Sequence, residues 1–217
     1  NIVNLLPLED GERVSAMIRV PEFGEENYFL CMLTRNGIIK RTELDAYKNV
    51  RKTGIIAIGL DEGDSIKGVL LTDGEGEIIV ATRLGMALRF ADNTLRPMSR
   101  SAHGVRAIKL REGDEVVSME EIREGDKVLT VSEKGFGRRV DESAYRTQRR
   151  GGKGMLNYRV NDQKGAVCGI KVVGEDEDVI LISNDGVIIR VRACDISVMG
   201  RYAGGVTIMK TKNQKEK

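Results

Sequence analysis

An all-β fold built from repeated four-stranded blades, set out as a propeller-like ring or spiral, is the architecture this chain of 217 residues predicts. Three observations carry it. A sequence repeat recurs with a period close to 50 residues. Within each repeat, short runs rich in Ile, Val and Leu are bounded by Gly, Asp and Asn, which is the signature of strands and tight turns. No segment sustains an apolar 3.6-residue period long enough for a buried helix.

The repeat is read by aligning four stretches: Leu33 to Arg41, Ala81 to Arg89, Val131 to Arg139 and Ile182 to Arg190. Each has an apolar residue, Ser or Thr, two variable residues, Gly, and Arg four places after that Gly. The first glycines, Gly37, Gly85, Gly135 and Gly186, are 48, 50 and 51 residues apart. A second glycine follows in each unit (Gly54, Gly104, Gly154, Gly205), and an apolar run follows that. Two units continue into acidic turns, Asp61 to Asp64 and Arg111 to Asp114. A period near 50 with about four strands per unit suits blades of a radially repeated β-fold. One blade cannot bury its own apolar face, so neighbours must pack together.

Taken in order, the opening stretch Val3-Asn4-Leu5-Leu6-Pro7-Leu8-Glu9-Asp10-Gly11 matches the later half of a unit, with Gly11 in the place of Gly63 and Gly113. The chain therefore begins in mid-repeat and reads as a fragment of something longer. The units run as residues 1–27 (partial), 28–76, 77–126, 127–177 and 178–217 of one domain. Asn36-Gly37 and Asp185-Gly186, each between two apolar runs, predict type I′ hairpins. Aromatic residues are only 4% of the chain and Trp is absent, so the core is aliphatic and divided among blades. Cys31, Cys168 and Cys194 are far apart and odd in number; they read as buried reduced thiols of a cytosolic protein, and no ligand set for a structural metal is present. No run approaches the length of a membrane span.

The net charge of +2 hides its distribution. From Lys134 to Lys153 there are seven basic and two acidic residues. Acids gather instead at Asp61 to Asp64, Asp114-Glu115, Glu120-Glu121 and Glu175 to Asp178. Arg41, Arg89, Arg139 and Arg190 occupy equivalent places. Just before the second glycine lie Arg51 and Lys52, then Arg100, then Arg149, Arg150 and Lys153, then Arg201. A row of cations repeated once per blade matches a polymer of regularly spaced phosphates, bound with a steep salt dependence and little base reading. The plain alternative is that exposed strand cations serve solubility and edge protection. The densest cluster is Gln148-Arg149-Arg150-Gly151-Gly152-Lys153-Gly154, where solubility does not account for the extra glycines; missing Cβ atoms let a backbone approach a surface, and Arg and Lys suit phosphate. His103 is the only histidine and has no catalytic partner set, and no complete active site is legible.

Gln148 to Gly154 resembles the box motif of the C-terminal domain of the DNA gyrase A subunit. Val3 to Leu8, Thr34-Arg35-Asn36-Gly37 and Ile196 to Arg201 are similar to that family too, and the likeness covers the whole chain. It implies a β-pinwheel of about six four-stranded blades that exchange strands, with an outer rim that wraps double-stranded DNA largely independently of sequence. In the family the box sits in the first blade; here it lies in the third of four complete units. The resemblance implies a non-catalytic DNA-wrapping part of a bacterial, cytoplasmic, nucleoid-associated type II topoisomerase. ATP and Mg²⁺ belong to the holoenzyme, an A2B2 assembly of gyrase A and gyrase B subunits that introduces negative supercoils. The expected DNA contacts are Gln148, Arg149, Arg150, Gly151, Gly152, Lys153 and Gly154, supported by Arg138 and Arg139, and continued by Arg41, Arg89, Arg190, Arg51, Lys52, Arg100 and Arg201. Two other readings stand beside this one: a topoisomerase IV domain that steers DNA with little wrapping, and a protein-interaction propeller.

Overall fold

The computed structural model describes residues 8, 11–21, 23–24, 27–51 and 53–210. The opening motif Val3 to Pro7, Lys52 and the tail 211–217 lie outside the described residues.

Each unit begins with a hairpin. The pairs are β1 (Phe29–Thr34) with β2 (Ile38–Glu43), β4 (Glu77–Thr82) with β5 (Met86–Ala91), β8 (Lys127–Ser132) with β9 (Phe136–Asp141), and β12 (Asp178–Ile182) with β13 (Ile188–Arg192). The turn is not type I′, which needs positive φ at both central residues. Asn36 has an ordinary φ; Gly37 alone is left-handed, at φ 80°, and its N–H closes on the Thr34 carbonyl at 3.0 Å. A three-residue loop with glycine in the left-handed place makes the connection instead.

After its hairpin the chain makes one turn of 3₁₀ helix (Leu44–Tyr47, Asp92–Thr94, Glu142–Ala144, Ala193–Asp195). It then crosses to the preceding unit. β6 (Val105–Arg106) pairs with β2, β10 (Met155–Leu156) with β5, and β14 (Val206–Thr207) with β9. It returns to its own unit as β3 (Ile66–Thr72), β7 (Val116–Ile122) or β11 (Val167–Val173). The result is three antiparallel four-stranded sheets, ordered β3-β1-β2-β6, β7-β4-β5-β10 and β11-β8-β9-β14, plus the hairpin β12-β13. The fourth unit gives β14 to the third sheet and among the described residues forms the two-stranded hairpin β12-β13.

β3, β7 and β11 pack successively against one another and form the inner edge, so β6, β10 and β14 are the outer edges. Apolar side chains fill the spaces between sheets. Cys31, Leu33 and Ile39 of the first meet Ile78, Val80, Leu88 and Phe90 of the second; Ile79, Ala81 and Ala87 on the opposite face meet Val128, Val140, Tyr145 and Ile170 of the third. Burial of such aliphatics, about 25 cal/mol per Å² of apolar area, drives one blade onto the next. Of the cysteines only Cys31 is buried. Cys168 is exposed, at the irregularity between Val167 and Gly169 where β11 shifts register against β8, which corrects the expectation of a buried thiol.

Candidate nucleic-acid interface

The outer edge of each sheet carries a bulge. Met98 N–H bonds Arg41 O on β2, and the chain rejoins β2 where Val105 pairs with Ile39. Gln148 N–H bonds Arg89 O on β5, and Met155 pairs with Ala87. Met199 N–H bonds Arg139 O on β9, and Val206 pairs with Gly137. Residues 99–104, 149–154 and 200–205 thus link anchors only two strand residues apart, a span of about 7 Å. Six residues cannot lie flat over that distance, so each loop projects from the rim. The second glycine of the repeat ends each bulge because only it can re-enter the edge. At φ 72°, a Cβ on Gly154 would overlap the Ala87 carbonyl; on Gly205 it would stand 2.6 Å from Gly137 O.

The bulges form a continuous track. Arg100 Nη1 donates to Ile56 O at 2.9 Å, Arg150 Nη1 to Arg106 O at 2.7 Å and Arg201 Nη1 to Leu156 O at 2.7 Å, so each reaches the neighbouring arm at the same place. Tyr158 Oη donates to Gly204 O at 3.2 Å, and Gly59 N–H to Ala102 O at 3.1 Å. A carbonyl partner positions a guanidinium without neutralising it. Arg51, Arg149 and Lys153 are exposed, and among the described residues none of the bulge cations has a carboxylate partner. Gln148 contributes its backbone anchor, and its side-chain Nε2 is buried without a partner.

Arg41 and Arg89, expected to continue this track, and Arg139, expected to support the box, belong to the framework instead, and Arg190 is neutralised. Arg41, 6% exposed, lies 3.5 Å from Asp92 Oδ1 and stacks on Phe29 at 3.6 Å. Arg89 donates from Nε to Glu77 at 2.6 Å and from Nη1 to Glu142 at 2.6 Å, and also reaches the Glu142 and Tyr145 carbonyls. Arg139, 4% exposed, donates to Ile196 O at 2.7 Å and pairs with Glu175 at 2.8 Å. Each reaches the 3₁₀ turn of the next unit and pins it to the previous blade. Arg190 is exposed but pairs with Asp178 across its own hairpin. Arg138, expected to support the box, is 0% exposed; its guanidinium donates to the Asn157, Gly200 and Arg201 carbonyls, and burial pulls its pKa below the ordinary guanidinium value. A phosphate cannot reach a fully enclosed side chain. Gly154 likewise serves the edge crossing, whereas Gly151 and Gly152 meet nothing closer than 3.4 Å.

Two further sets of exposed cations flank the bulges. Lys48, Arg96 and Arg146 follow the 3₁₀ turns, seven residues after the repeated arginine. Lys109, Arg159 and Lys210 lie five residues after the second glycine. Their repeat spacing was visible in the sequence; their flanking of a projecting loop was not. The acidic turns are engaged elsewhere: Asp64 Oδ1 accepts Asn36 N–H at 3.1 Å and Asp114 Oδ1 accepts Leu84 N–H at 2.8 Å, at the hairpin tips.

A family model described as DNA gyrase C-terminal domain, beta-propeller, matches residues 28–73, 76–123, 126–173 and 177–217. The chain belongs to the DNA gyrase C-terminal domain family. It is 42% identical over 213 residues to the DNA gyrase A subunit of Haloquadratum walsbyi and 44% identical over 210 residues to that of Clostridium acetobutylicum, covering 95% and 97% of this chain. It spans about a quarter of the length of these relatives, 25% in each case. Among solved structures it is similar to a DNA gyrase A C-terminal domain (TM-score 0.89, 28% identity, covering 98% of this chain and 71% of that one). It is also similar to a DNA topoisomerase IV C-terminal domain (TM-score 0.90, 26% identity, covering 98% and 66%). Within this family of gyrase domains, the present one carries its box in the bulge on the second described sheet. Among the described residues no helix is long and apolar enough to cross a membrane, which says nothing of strands.

Proposed function

We propose that this domain binds double-stranded DNA along its outer rim and wraps it, without base reading and without catalysing a reaction itself. One observation carries the reading. The bulge cations project in succession from three sheet edges with no carboxylate among the described residues to neutralise them, whereas the framework arginines are paired. A stiff polyanion laid across successive bulges would follow the curvature of the array, as backbone contacts plus bending suffice for wrapping. The contacts begin with Arg149, Arg150 and Lys153, with Gly151 and Gly152 admitting the duplex, and extend through Arg51, Lys52, Arg100 and Arg201 to the flanking sets.

In the whole protein, the domain would work with gyrase B subunits and the remainder of its own A chain in an A2B2 assembly of the bacterial cytoplasm, next to the nucleoid. ATP and Mg²⁺ would act there, and the wrap would present a crossed segment for strand passage that yields negative supercoils. The test is topological. Ligating a nicked circle in the presence of the intact protein should shift its linking number, and changing Arg149, Arg150 and Lys153 together to Ala should reduce that shift. Binding with no shift would assign steering, the behaviour of the topoisomerase IV alternative; no binding at low salt would leave a protein-interaction propeller.

A further inference from the structure

The bulge that carries the box is closed by a different device from its two neighbours, and the difference begins with the residue beneath it. Three places after the first glycine of the repeat stand Lys40, Leu88 and Arg138, all 0% exposed. Lys40 Nζ donates to the carbonyls of Ala57, Ser99 and Arg100. Arg138 donates to those of Asn157, Gly200 and Arg201. These are the same three repeat positions: one carbonyl on the unit's own arm and the first two of the next unit's bulge. A buried cation therefore draws the base of each flanking bulge inward.

Leu88 has no donor. Among the described residues, the corresponding bulge carbonyls of Arg149 and Arg150 accept from no side chain. The corresponding arm carbonyl, Ala107 O, accepts instead from Gly151 N–H at 2.7 Å. Gly151 does so at φ 80°, a conformation that neither Ser101 nor Tyr202 adopts at the same place. All three bulges turn at this place, over 100–101, 150–151 and 201–202, and the flanking two close the turn with short bonds, Ala102 N–H to Ser99 O at 3.2 Å and Ala203 N–H to Gly200 O at 3.0 Å. Gly152 rests on Leu88 itself, where an added Cβ would stand 3.5 Å from Cδ1.

We infer that Leu88 is a positioning residue for the box: the apolar side chain below and the left-handed glycine above are two halves of one device that leaves the Arg149 and Arg150 backbone without a buried cation to clamp it, so that the loop can adapt to a phosphate backbone. A cation at that place would compete for Ala107 O, draw in the Arg149 and Arg150 carbonyls, and pull the loop into the shape of its neighbours while Arg149, Arg150 and Lys153 all remain. The functional consequence rests on the DNA-binding reading; the loop geometry does not.

The experiment compares Leu88→Lys with Leu88→Met in the intact protein, reading amide hydrogen exchange and duplex binding. With Leu88→Lys the Gly151 amide should exchange about tenfold faster, and affinity for a long duplex at moderate salt should fall about threefold or more. The Arg139 amide, bonded to Ser197 O at 3.0 Å in the next sheet, should keep its protection, which separates a local change from loss of the blade. Leu88→Met should match the parent in both. A folded Leu88→Lys protein with a protected Gly151 amide, or with undiminished binding, overturns the inference. Should Leu88→Lys fail to fold, the converse decides: grafting the sequence of 148–154 onto 98–104 should strengthen binding only together with Lys40→Leu, and an equal gain with Lys40 kept overturns it. If the parent binds no duplex, the DNA reading fails while the exchange result still judges the loop.

Discussion

Arg138 and Arg149 carry the same guanidinium, yet one is enclosed among three carbonyls and the other faces water. Each carbonyl left buried without a donor costs about 1–3 kcal/mol. Arg138→Ala should therefore lower unfolding free energy by about 3 kcal/mol or more, whereas Arg149→Ala should stay within about 0.5 kcal/mol; denaturant midpoints of the two variants check this. Lys40 makes a second residue-scale case. Burial first, then the nearby charge of Arg100, lowers its pKa from 10.5 to about 8. Between those values the unfolded chain binds a proton that the folded chain does not, so stability must rise with pH across that window and be flat below it. The unfolding free energy of the parent minus that of Lys40→Met should climb from pH 8 to 10.5; a difference that stays level would mean that Lys40 titrates normally. The sequence could not separate these residues from rim cations, because the groups that enclose them come from the next unit: Asp92 lies 51 residues beyond Arg41, and Glu142 lies 53 beyond Arg89. Even so, each carboxylate stands three places after the arginine of its own unit, so the alignment held the signal.

At the scale of the element, the period, the hairpins and the place of the second glycine were all legible, since each leaves a local mark in composition. The crossing strands were legible only through the family resemblance, not in local composition. β6, β10 and β14 are two residues long, and the chain between anchor and strand reads as an ordinary loop until its partner on the previous unit is known. That is why glycines that look alike in the box differ in purpose. Gly154 is left-handed and any Cβ there would overlap the Ala87 carbonyl, while Gly152 has ordinary backbone and ordinary contacts. Gly154→Ala should cost well over 1 kcal/mol, since neither its conformation nor its space suits alanine. Gly152→Ala should leave thermal unfolding within a degree or two yet weaken duplex binding, if close backbone approach is its use. Equal loss of stability in both variants would place Gly152 in the framework as well.

Across the whole molecule, strand exchange makes each sheet dependent on the next unit, so framework and rim are set by one repeat. Its strand arginine closes blade to blade, and its bulge cation is presented outward. Arg190 tests that division better than any other residue. By sequence it belongs to the same row as Arg41, Arg89 and Arg139; in the structure it is exposed, neutralised by Asp178, and on a hairpin strand rather than a bulge. Ile180, on the same face, is 63% exposed, whereas its counterpart Ile79 is buried between the second and third sheets, so exposure alone does not mark a DNA contact. Counterion release gives a number to compare. Each phosphate neutralised adds about 0.9 to the slope of log affinity against log salt. Changing Arg149, Arg150 and Lys153 to Ala should make that slope shallower by about 2–3, while Arg190→Ala should leave it where it was. A titration of duplex binding from low to moderate salt measures both. If Arg190→Ala removes as much slope as any one bulge cation does, the contact surface follows the strand row of the sequence and not the projecting loops.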